Sequence, residues 1–431
     1  MNRILVLGAG VSGLAAARLA RSQTKSVTLF SEDPAPAVHE EGFALASGGW
    51  DPVLLNGIDL VVTSPGFSER SLPIVEALEW GIPVWSEIEF ASTFLDSPLI
   101  AITGTNGKTT VTEATSAMLE SSGLSAPATG NIGSALSDQV NVENDVLVVE
   151  VSSFQLRFSK TFHPLAAAIT NVAVDHLDWH GSEMAYRDAK ARIFANQTST
   201  DWLVYDADDP GASSLVADAP SRRYPVSANR VPEGGGGVVG GVLSVEDVVL
   251  HIDELASPDP IHLTNLSMAA ALASRVGGTV QGITDAAQRF RPGAHRREVV
   301  AMHQGITWVD DSKATNVHAA LASIRAEKSV VLIAGGLAKG LDVTDLAREP
   351  NLRHLIGIGT AGPDLVAVAG ERGHLAGSME DAVGLASSLA FEGDTVLLAP
   401  GCASFDQFES YSERGDRFSE LARERTGAPA G

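Results

Sequence analysis

Ala101-Ile102-Thr103-Gly104-Thr105-Asn106-Gly107-Lys108-Thr109-Thr110 is the stretch that decides the fold. An apolar strand, read over Leu99–Thr103, enters a glycine-rich turn, then Lys-Thr, then a helical pattern that continues to Leu119. In such a turn the backbone N–H groups point inward and the helix N-terminus adds partial positive charge, which together cradle phosphate oxygens. Lys108 would reach the β- and γ-phosphates and the Thr109 hydroxyl a Mg²⁺ ion. The spacing is G-x-x-G-K-[ST], without the further glycine of the general phosphate loop, whose place Ile102 takes. The alternative is an ordinary strand-to-helix turn.

Working outward, the same unit recurs: a short apolar strand, a glycine-rich or polar turn, a helical pattern. This alternation predicts an α/β chain with mostly parallel sheets covered by helices. Strands are expected at Ile4–Leu7, Val27–Phe30 and Leu60–Thr63, then at Leu99–Thr103, Val146–Val151, Ala167–Asn171 and Leu203–Tyr205. A third series is Trp308–Val309, Val330–Ile333, Leu355–Ile358 and Val396–Leu398, closed by a helix around Phe418–Arg425. Three domains are expected, over residues 1–93, 94–291 and 292–431. The first and last are expected to be Rossmann-like and the central one a phosphate-loop ATPase type. Glu233-Gly234-Gly235-Gly236-Gly237 reads as a flexible surface loop or hairpin tip.

Composition narrows the function classes. The 431 residues carry 30 Lys and Arg against 53 Asp and Glu, a net charge of −23. Nucleic-acid and anionic-membrane binders rest on basic surface, so neither partner is expected. The single cysteine, Cys402, permits no internal disulfide and fits a reducing cytoplasm. It has no adjacent basic motif, so no nucleophilic role is expected. No apolar run reaches membrane-spanning length.

Other residues carry chemistry beside the loop. Gly8-x-Gly10-x-x-Gly13 follows a strand and opens a helix at Leu14–Arg21, with Glu32 about 20 residues on. It fits a dinucleotide cradle, a tight turn without ligand, or a site for another nucleotide. Glu150 ends a strand, where the ligand crevice of an open α/β sheet lies, and could take a Mg²⁺ position. His176 and His180 stand four apart, a spacing that admits a zinc pair, although the glutamate of the zincin pattern is absent. A Mg²⁺-facing His176 is the preferred reading. Lys190, in a helical pattern, is by default solvated. Asp310-Asp311 stands at a strand end and is followed by Ser312, read as an N-cap.

Taken in order, Gly104–Thr110, Glu150–Leu156, Asp175–Asp178, Ala189–Arg192, His295-Arg296, Asp311–Asn316 and Ala403–Phe408 resemble the motifs of the Mur ligases. The resemblance covers essentially the whole chain, and the last two runs point to the D-glutamate-adding branch. It implies an ATP-dependent ligase that joins D-glutamate to UDP-N-acetylmuramoyl-L-alanine through an acyl phosphate, in the cytoplasm, as a monomer, with ATP and Mg²⁺ as cofactors. Val11, Ser12, Glu32, Ser64, Pro65 and Gly66 would meet the UDP sugar and Asn131 its reacting end. ATP would be held by Gly104–Thr110, Asn265, Arg296 and Asp311. Thr109, Glu150, His176 and Lys190 would face the metal, with Lys190 carbamylated, and Lys108, Glu150, His176 and Lys190 would be catalytic. D-Glutamate would meet His176, Lys313, Thr315, Lys339, Ser404 and Tyr411. Two positions depart from the family pattern. Met268 replaces an asparagine expected near adenine, after Thr264-Asn265, and Tyr411 stands where Phe is common. The alternatives are a ligase for another amino acid, a folylpolyglutamate-synthase-like enzyme, an NAD-dependent oxidoreductase built on Gly8–Gly13, and an inactive nucleotide-binding regulator. The oxidoreductase leaves the 104–110 loop unexplained.

Overall fold

Five parallel strands open the chain: β1 (Arg3–Leu7), β2 (Ser26–Ser31), β3 (Ala44–Ser47), β4 (Leu60–Thr63) and β5 (Val84–Ser86), in the order β3-β2-β1-β4-β5. A computed structural model describes residues 1–427. Ile4–Leu7 is a continuous apolar run because β1 is central and buried on both faces. Strand order reverses between β1 and β4, so a crevice opens beyond their C-terminal ends. The helix Val11–Ser22 starts three residues earlier than the expected Leu14.

A nine-stranded sheet follows: β6 (Leu99–Thr103), β7 (Ala128–Gly130), β8 (Leu147–Glu150), β9 (Ala166–Ile169), β10 (Trp202–Asp206), β11 (Arg222–Ser227), β12 (Gly236–Val239), β13 (Val242–Val245) and β14 (Val248–His251). The order is β14-β13-β12-β11-β10-β9-β6-β8-β7. All pairs are parallel except β12–β13 and β13–β14. β6 sits between β8 and β9, so its C-terminal end faces neighbouring turns on both sides.

The glycine run is corrected here. Gly236 and Gly237 are not loop but the buried start of β12, paired with Val226 and Ser227. A Cβ on Gly237 would lie 2.2 Å from Arg230 O and 2.3 Å from Ser227 O, so close backbone approach excludes any larger residue.

Both sheets belong to one compact unit, Met1–Pro258 with His262–Phe290, and share a core that runs from Ile4, Val6 and Val62 to Ala101, Val149 and Ile169. Two carboxylates on the helix Glu87–Ser92 join the sheets. Glu89 accepts from Thr161 N (2.8 Å), Thr161 Oγ1 (2.7 Å) and Phe162 N (2.9 Å). Glu87 accepts from Ser137 N at 2.6 Å, while its Oε2 is buried without a partner. Burial therefore pushes the Glu87 carboxyl up to about 7, against the pull of the Ser137 hydrogen bonds.

The second unit, Asp259–Ile261 with the chain from Arg291, carries β15 (Glu298–His303), β16 (Ile306–Asp310), β17 (Val330–Gly335), β18 (Leu352–Ile358), β19 (Gly373–Leu375) and β20 (Thr395–Leu398). Their order is β15-β16-β20-β17-β18-β19, parallel apart from the β15–β16 hairpin. The last four residues of the expected 292–431 domain lie outside the described residues. The final helix, Tyr411–Thr426, is longer than the expected Phe418–Arg425 because Ser410 caps it by accepting from Glu413 N. Among the described residues no helix is long and apolar enough to cross a membrane.

Two expectations follow. A carboxyl whose folded pKa is raised from 4.5 to about 7 binds its proton more tightly when folded. Its contribution is present below the unfolded value and is lost as pH rises through the folded one. Glu87→Gln should therefore gain about 2–4 kcal/mol over wild type near pH 8 and nothing near pH 4, read by urea denaturation. Gly237→Ala should cost about 1–3 kcal/mol. Gly49→Ala, whose Cβ meets nothing within 4 Å, should stay within about 0.5 kcal/mol.

Candidate active site

The loop between β6 and the helix Lys108–Ser121 is built by its neighbours. Gly104 has φ +151°, and a Cβ there would stand 1.8 Å from Thr170 Oγ1, so only glycine fits. Thr170 Oγ1 donates to Asn106 O (2.5 Å), and Asn171 Oδ1 accepts from Asn106 N (2.8 Å). Thr105 N donates to Asn171 O (2.9 Å). The Thr105 hydroxyl accepts from Ala173 N (3.0 Å) and shares a proton with the Tyr186 hydroxyl (2.9 Å). Thr109 sits half-buried in the first helical turn, Thr110 is buried, and Gly107 caps the helix in the left-handed region, facing Asn265.

Two lysines converge on one carbonyl. Lys108 Nζ donates to Gly104 O (3.1 Å) and Thr105 O (3.0 Å), and Lys190 Nζ donates to Gly104 O at 2.6 Å. The expected default for Lys190, a solvated helix lysine, is wrong: it is 1% exposed and lies 4.5 Å from the centre of the Tyr186 ring. Burial, then the Lys108 charge, push its ammonium well below the ordinary range, with Asp175 opposing.

Glu150 ends β8, 2% exposed. Its Oε1 accepts from Asn131 Nδ2 (2.8 Å), and Asn131 N donates to Glu150 O (2.9 Å), so the Gly130–Gly133 turn holds the carboxylate in place. Glu150 Oε2 is buried with no partner among the described residues. Such an oxygen suits a hard cation. His176 has φ +52° and a side chain 44% exposed. Partial burial, with Lys108 and Lys190, lowers its pKa against the pull of Asp175 and Asp178. His180 turns the other way: it is buried, 2.9 Å from Ser153 Oγ and stacked on Phe154. The zinc pair is therefore not formed, and no group of three His, Cys, Asp or Glu side chains among the described residues is set for a metal.

At the first sheet, Val11 is 71% exposed at the start of its helix and Glu32 is exposed just beyond β2. Ser64, Pro65 and Gly66 follow β4, and Ser64 Oγ is buried without a partner. Val11 and Ser64–Gly66 lie beyond the C-terminal ends of β1 and β4, where the strand order reverses, and Glu32 lies beyond β2 on the other side of β1.

In the second unit the loops after β16, β17 and β20, three adjacent parallel strands, share one edge. They bring Lys313, Thr315, Lys339 and Ser404 to that edge, with Lys313 Nζ 3.8 Å from the Tyr411 ring centre. Burial would raise the Tyr411 phenol, but the Lys313 hydrogen bond and charge bring it below its usual value. Lys339 is exposed with φ +52° and Ser404 is 2% exposed. Asp311 accepts from Arg297 N (3.2 Å), and burial raises its carboxyl to about 6. Arg296 is half-buried. Ser312 is not an N-cap. Asn316 caps the following helix by accepting from Ala319 N, while Ser312 Oγ donates to Tyr411 O (2.7 Å) and accepts from Arg414 Nε (3.0 Å). Cys402 is 1% exposed, with its thiol pushed up by burial to about 12, so it is inert.

Several residues at these sites escaped sequence reading. Tyr186, four before Lys190, has only its helical spacing as a signal. Arg414 is buried at 1%, donating to Ser312 and to Cys402 O, and looks in sequence like one of many charges in a polar helix. His295, named in the sequence only as part of a motif, is held by Asp310 at 2.7 Å, a pairing that the sequence does not display.

Three stretches of the chain match known families: residues 2–86 "Mur ligase MurD-like, N-terminal domain", 102–230 "Mur ligase middle domain" and 295–402 "Mur ligase, glutamate ligase domain". A protein of Frankia casuarinae named UDP-N-acetylmuramoylalanine--D-glutamate ligase is 42% identical, over 98% of this chain and 94% of its own. Its namesake in Pelotomaculum thermopropionicum is 38% identical over 97% of each. Among solved structures, the MurF ligase of Thermotoga maritima in complex with ADP superposes with a TM-score of 0.61 at 16% identity, covering 94% of this chain and 96% of that one. The UDP-N-acetylmuramate-alanine ligase of the same organism gives 0.58 at 19%, covering 99% and 100%. With matching models along most of its length, near-full-length relatives above 30% identity and the same fold in distant ligases, the chain belongs to the Mur ligase family.

Proposed function

We propose that this chain is an ATP-dependent ligase that forms an amide between the carboxyl group of UDP-N-acetylmuramoyl-L-alanine and the amine of D-glutamate, in peptidoglycan precursor synthesis. The names of its full-length relatives support the substrates. The observation that carries the chemistry is the meeting of Lys108 and Lys190 at the Gly104 carbonyl, on the strand edge that also holds Glu150.

In this reading the loop amides of Gly104–Thr110 and the Lys108 ammonium take the ATP phosphates, with Asn265, Arg296 and Asp311 contributing to the nucleotide. The Gly8–Gly13 turn, Val11, Ser12, Glu32 and Ser64–Gly66 take the UDP sugar, and Asn131 its reacting end. Lys313, Thr315, Lys339, Ser404 and Tyr411 take glutamate, with His176 beside the reacting groups. The substrate carboxylate accepts the γ-phosphoryl group, and the glutamate amine then displaces phosphate from the acyl phosphate. Lys108 offsets the charge that gathers on the transferring oxygens. Thr109, Glu150, His176 and Lys190 fit a Mg²⁺ site, where the ion would supply charge neutralisation at the phosphates.

Lys190 fits this role as a carbamate. Its buried amine, held below the ordinary lysine range, has a lone pair to attack CO₂. The ammonium first gives up one proton; the amine nitrogen then bonds to the carbon of CO₂ as one C=O π bond opens onto oxygen, and a second proton leaves the nitrogen, so a cation becomes an anion with two oxygens. The protein remains in a solvated compartment in this reading, as a monomer.

Three outcomes test the proposal. Phosphate release from ATP should require UDP-N-acetylmuramoyl-L-alanine together with D-Glu; release that follows L-Glu, D-Asp or L-Lys instead would overturn the substrate assignment. Lys108→Ala should lose turnover by a factor of about 10³ or more yet still bind the UDP substrate in calorimetry, because the uridine cradle lies on the other sheet of its unit. Lys190→Ala should be folded, nearly inactive and partly rescued by a short carboxylate. Wild type in ¹³C-labelled bicarbonate should show a carbamate resonance that the variant lacks. Near-full activity of Lys190→Ala would dismiss the carbamate.

A further inference from the structure

A cavity of about 300 Å³ opens at the edge of the nine-stranded sheet opposite the phosphate loop. It lies where Leu99 begins β6, Leu165 precedes β9 and Asp201 precedes β10, and it is closed by the connection from the helix Glu87–Ser92 into β6. β6 spans five residues, about 16 Å, so the cavity is well removed from the Lys108 loop at the far end.

The hydroxyls lining it share one property: their protons are already used. Ser92 Oγ donates to Glu89 O (2.9 Å), Ser97 Oγ to Asn144 O (2.9 Å) and Thr161 Oγ1 to Glu89 Oε1 (2.7 Å). What these hydroxyls have left to offer a ligand is lone pairs. At the base stands Asp201, 3% exposed. Its Oδ2 accepts from His163 Nε2 (2.8 Å), Thr198 N (2.6 Å) and Thr198 Oγ1 (3.0 Å). These donors hold the carboxyl below its usual range against the effect of burial. The remaining walls, Leu95, Pro98, Leu99 and Leu165, are apolar.

We propose that this cavity is a binding site for a small primary alkylammonium ligand, whose three N–H donors meet Asp201 and two of the Ser92, Ser97 and Thr161 oxygens while its methylenes lie on the leucine walls. An anion would face the hydroxyl lone pairs and the Asp201 carboxylate. A neutral alcohol could give one donor where an ammonium gives three. The cavity sits at the lower end of ligand-pocket sizes, which limits the ligand to a short chain. The net charge of −23 raises the local concentration of cations around the whole protein, but it does not select this position. The lining does.

The test uses the full chain and four probes: n-butylammonium, 1,4-diaminobutane, 1-butanol and butyrate. The reporter is the His163 ring signal in NMR, assigned with His163→Gln. Both ammonium probes should shift the signal saturably, and butanol and butyrate should not. Ser92→Leu, which fills the cavity from the end of its helix, should abolish the shift. Asp201→Asn should weaken binding about tenfold, with a thermal melt reporting whether the 198–201 turn is intact. Equal shifts from butanol, a shift from butyrate, unsaturable behaviour of the amines, or an unchanged response in folded Ser92→Leu would each overturn the site. Displacement of the amines by millimolar Mg²⁺ with a matching shift would overturn its assignment to ammonium, because the cavity would then be a general cation site.

Discussion

The Gly104 carbonyl holds the candidate active site together. It can accept from both Lys108 and Lys190 only because residue 104 has no side chain and turns at φ +151° against Thr170. Two ammonium groups at one acceptor repel, and at an effective dielectric near 20 a pair about 4 Å apart costs roughly 4 kcal/mol. Of the two, Lys190 is the more deeply buried, and burial first, then the Lys108 charge, push its ammonium well below the ordinary range. The packing that keeps water from it has Tyr186 against the ammonium and Ala189 in the core.

The same economy recurs at Glu150. A buried carboxylate with one satisfied oxygen and one unpartnered oxygen is expensive. Asn131 fixes one oxygen and leaves the other without a partner among the described residues, the position a hard cation would take in the proposed site. The chain as a whole is strongly acidic, yet the phosphate loop gathers two lysines and a helix N-terminus within one turn.

The fold was legible wherever burial on both faces forces a continuous apolar run. β1, β4, β6, β17 and β20 lie where such runs predict strands, because central parallel strands admit nothing else. β5, β7 and β19 are three residues each, and β12 opens on glycines, so none has a pattern to read. Ser312 was misread because local capping and a long-range bond to Tyr411 O use the same hydroxyl, and sequence displays only the first. The loop residues Gly104–Thr110 were legible since their chemistry is local. Tyr186 and Arg414 were not, since each acts on a segment tens of residues away.

Within the first unit, the five-stranded sheet and the Glu150 carboxylate are joined by a short chain of contacts. Arg18, on the helix that begins at Val11, faces Asp138 at 3.9 Å, and the neighbouring Ser137 N binds Glu87. Six residues before Ser137, Asn131 in the Gly130–Gly133 turn donates to Glu150. Glu87 is buried and half-satisfied, so its protonation alters the stability of this junction without touching either site. The helix that opens the first cradle and the turn that aims Glu150 thus rest on one small patch of packed backbone. A displacement of one is resisted by the other, because interiors packed at this density do not deform continuously. The two sheets share one core, and the unpartnered oxygen of Glu150 is oriented by Asn131, which follows β7 in the nine-stranded sheet.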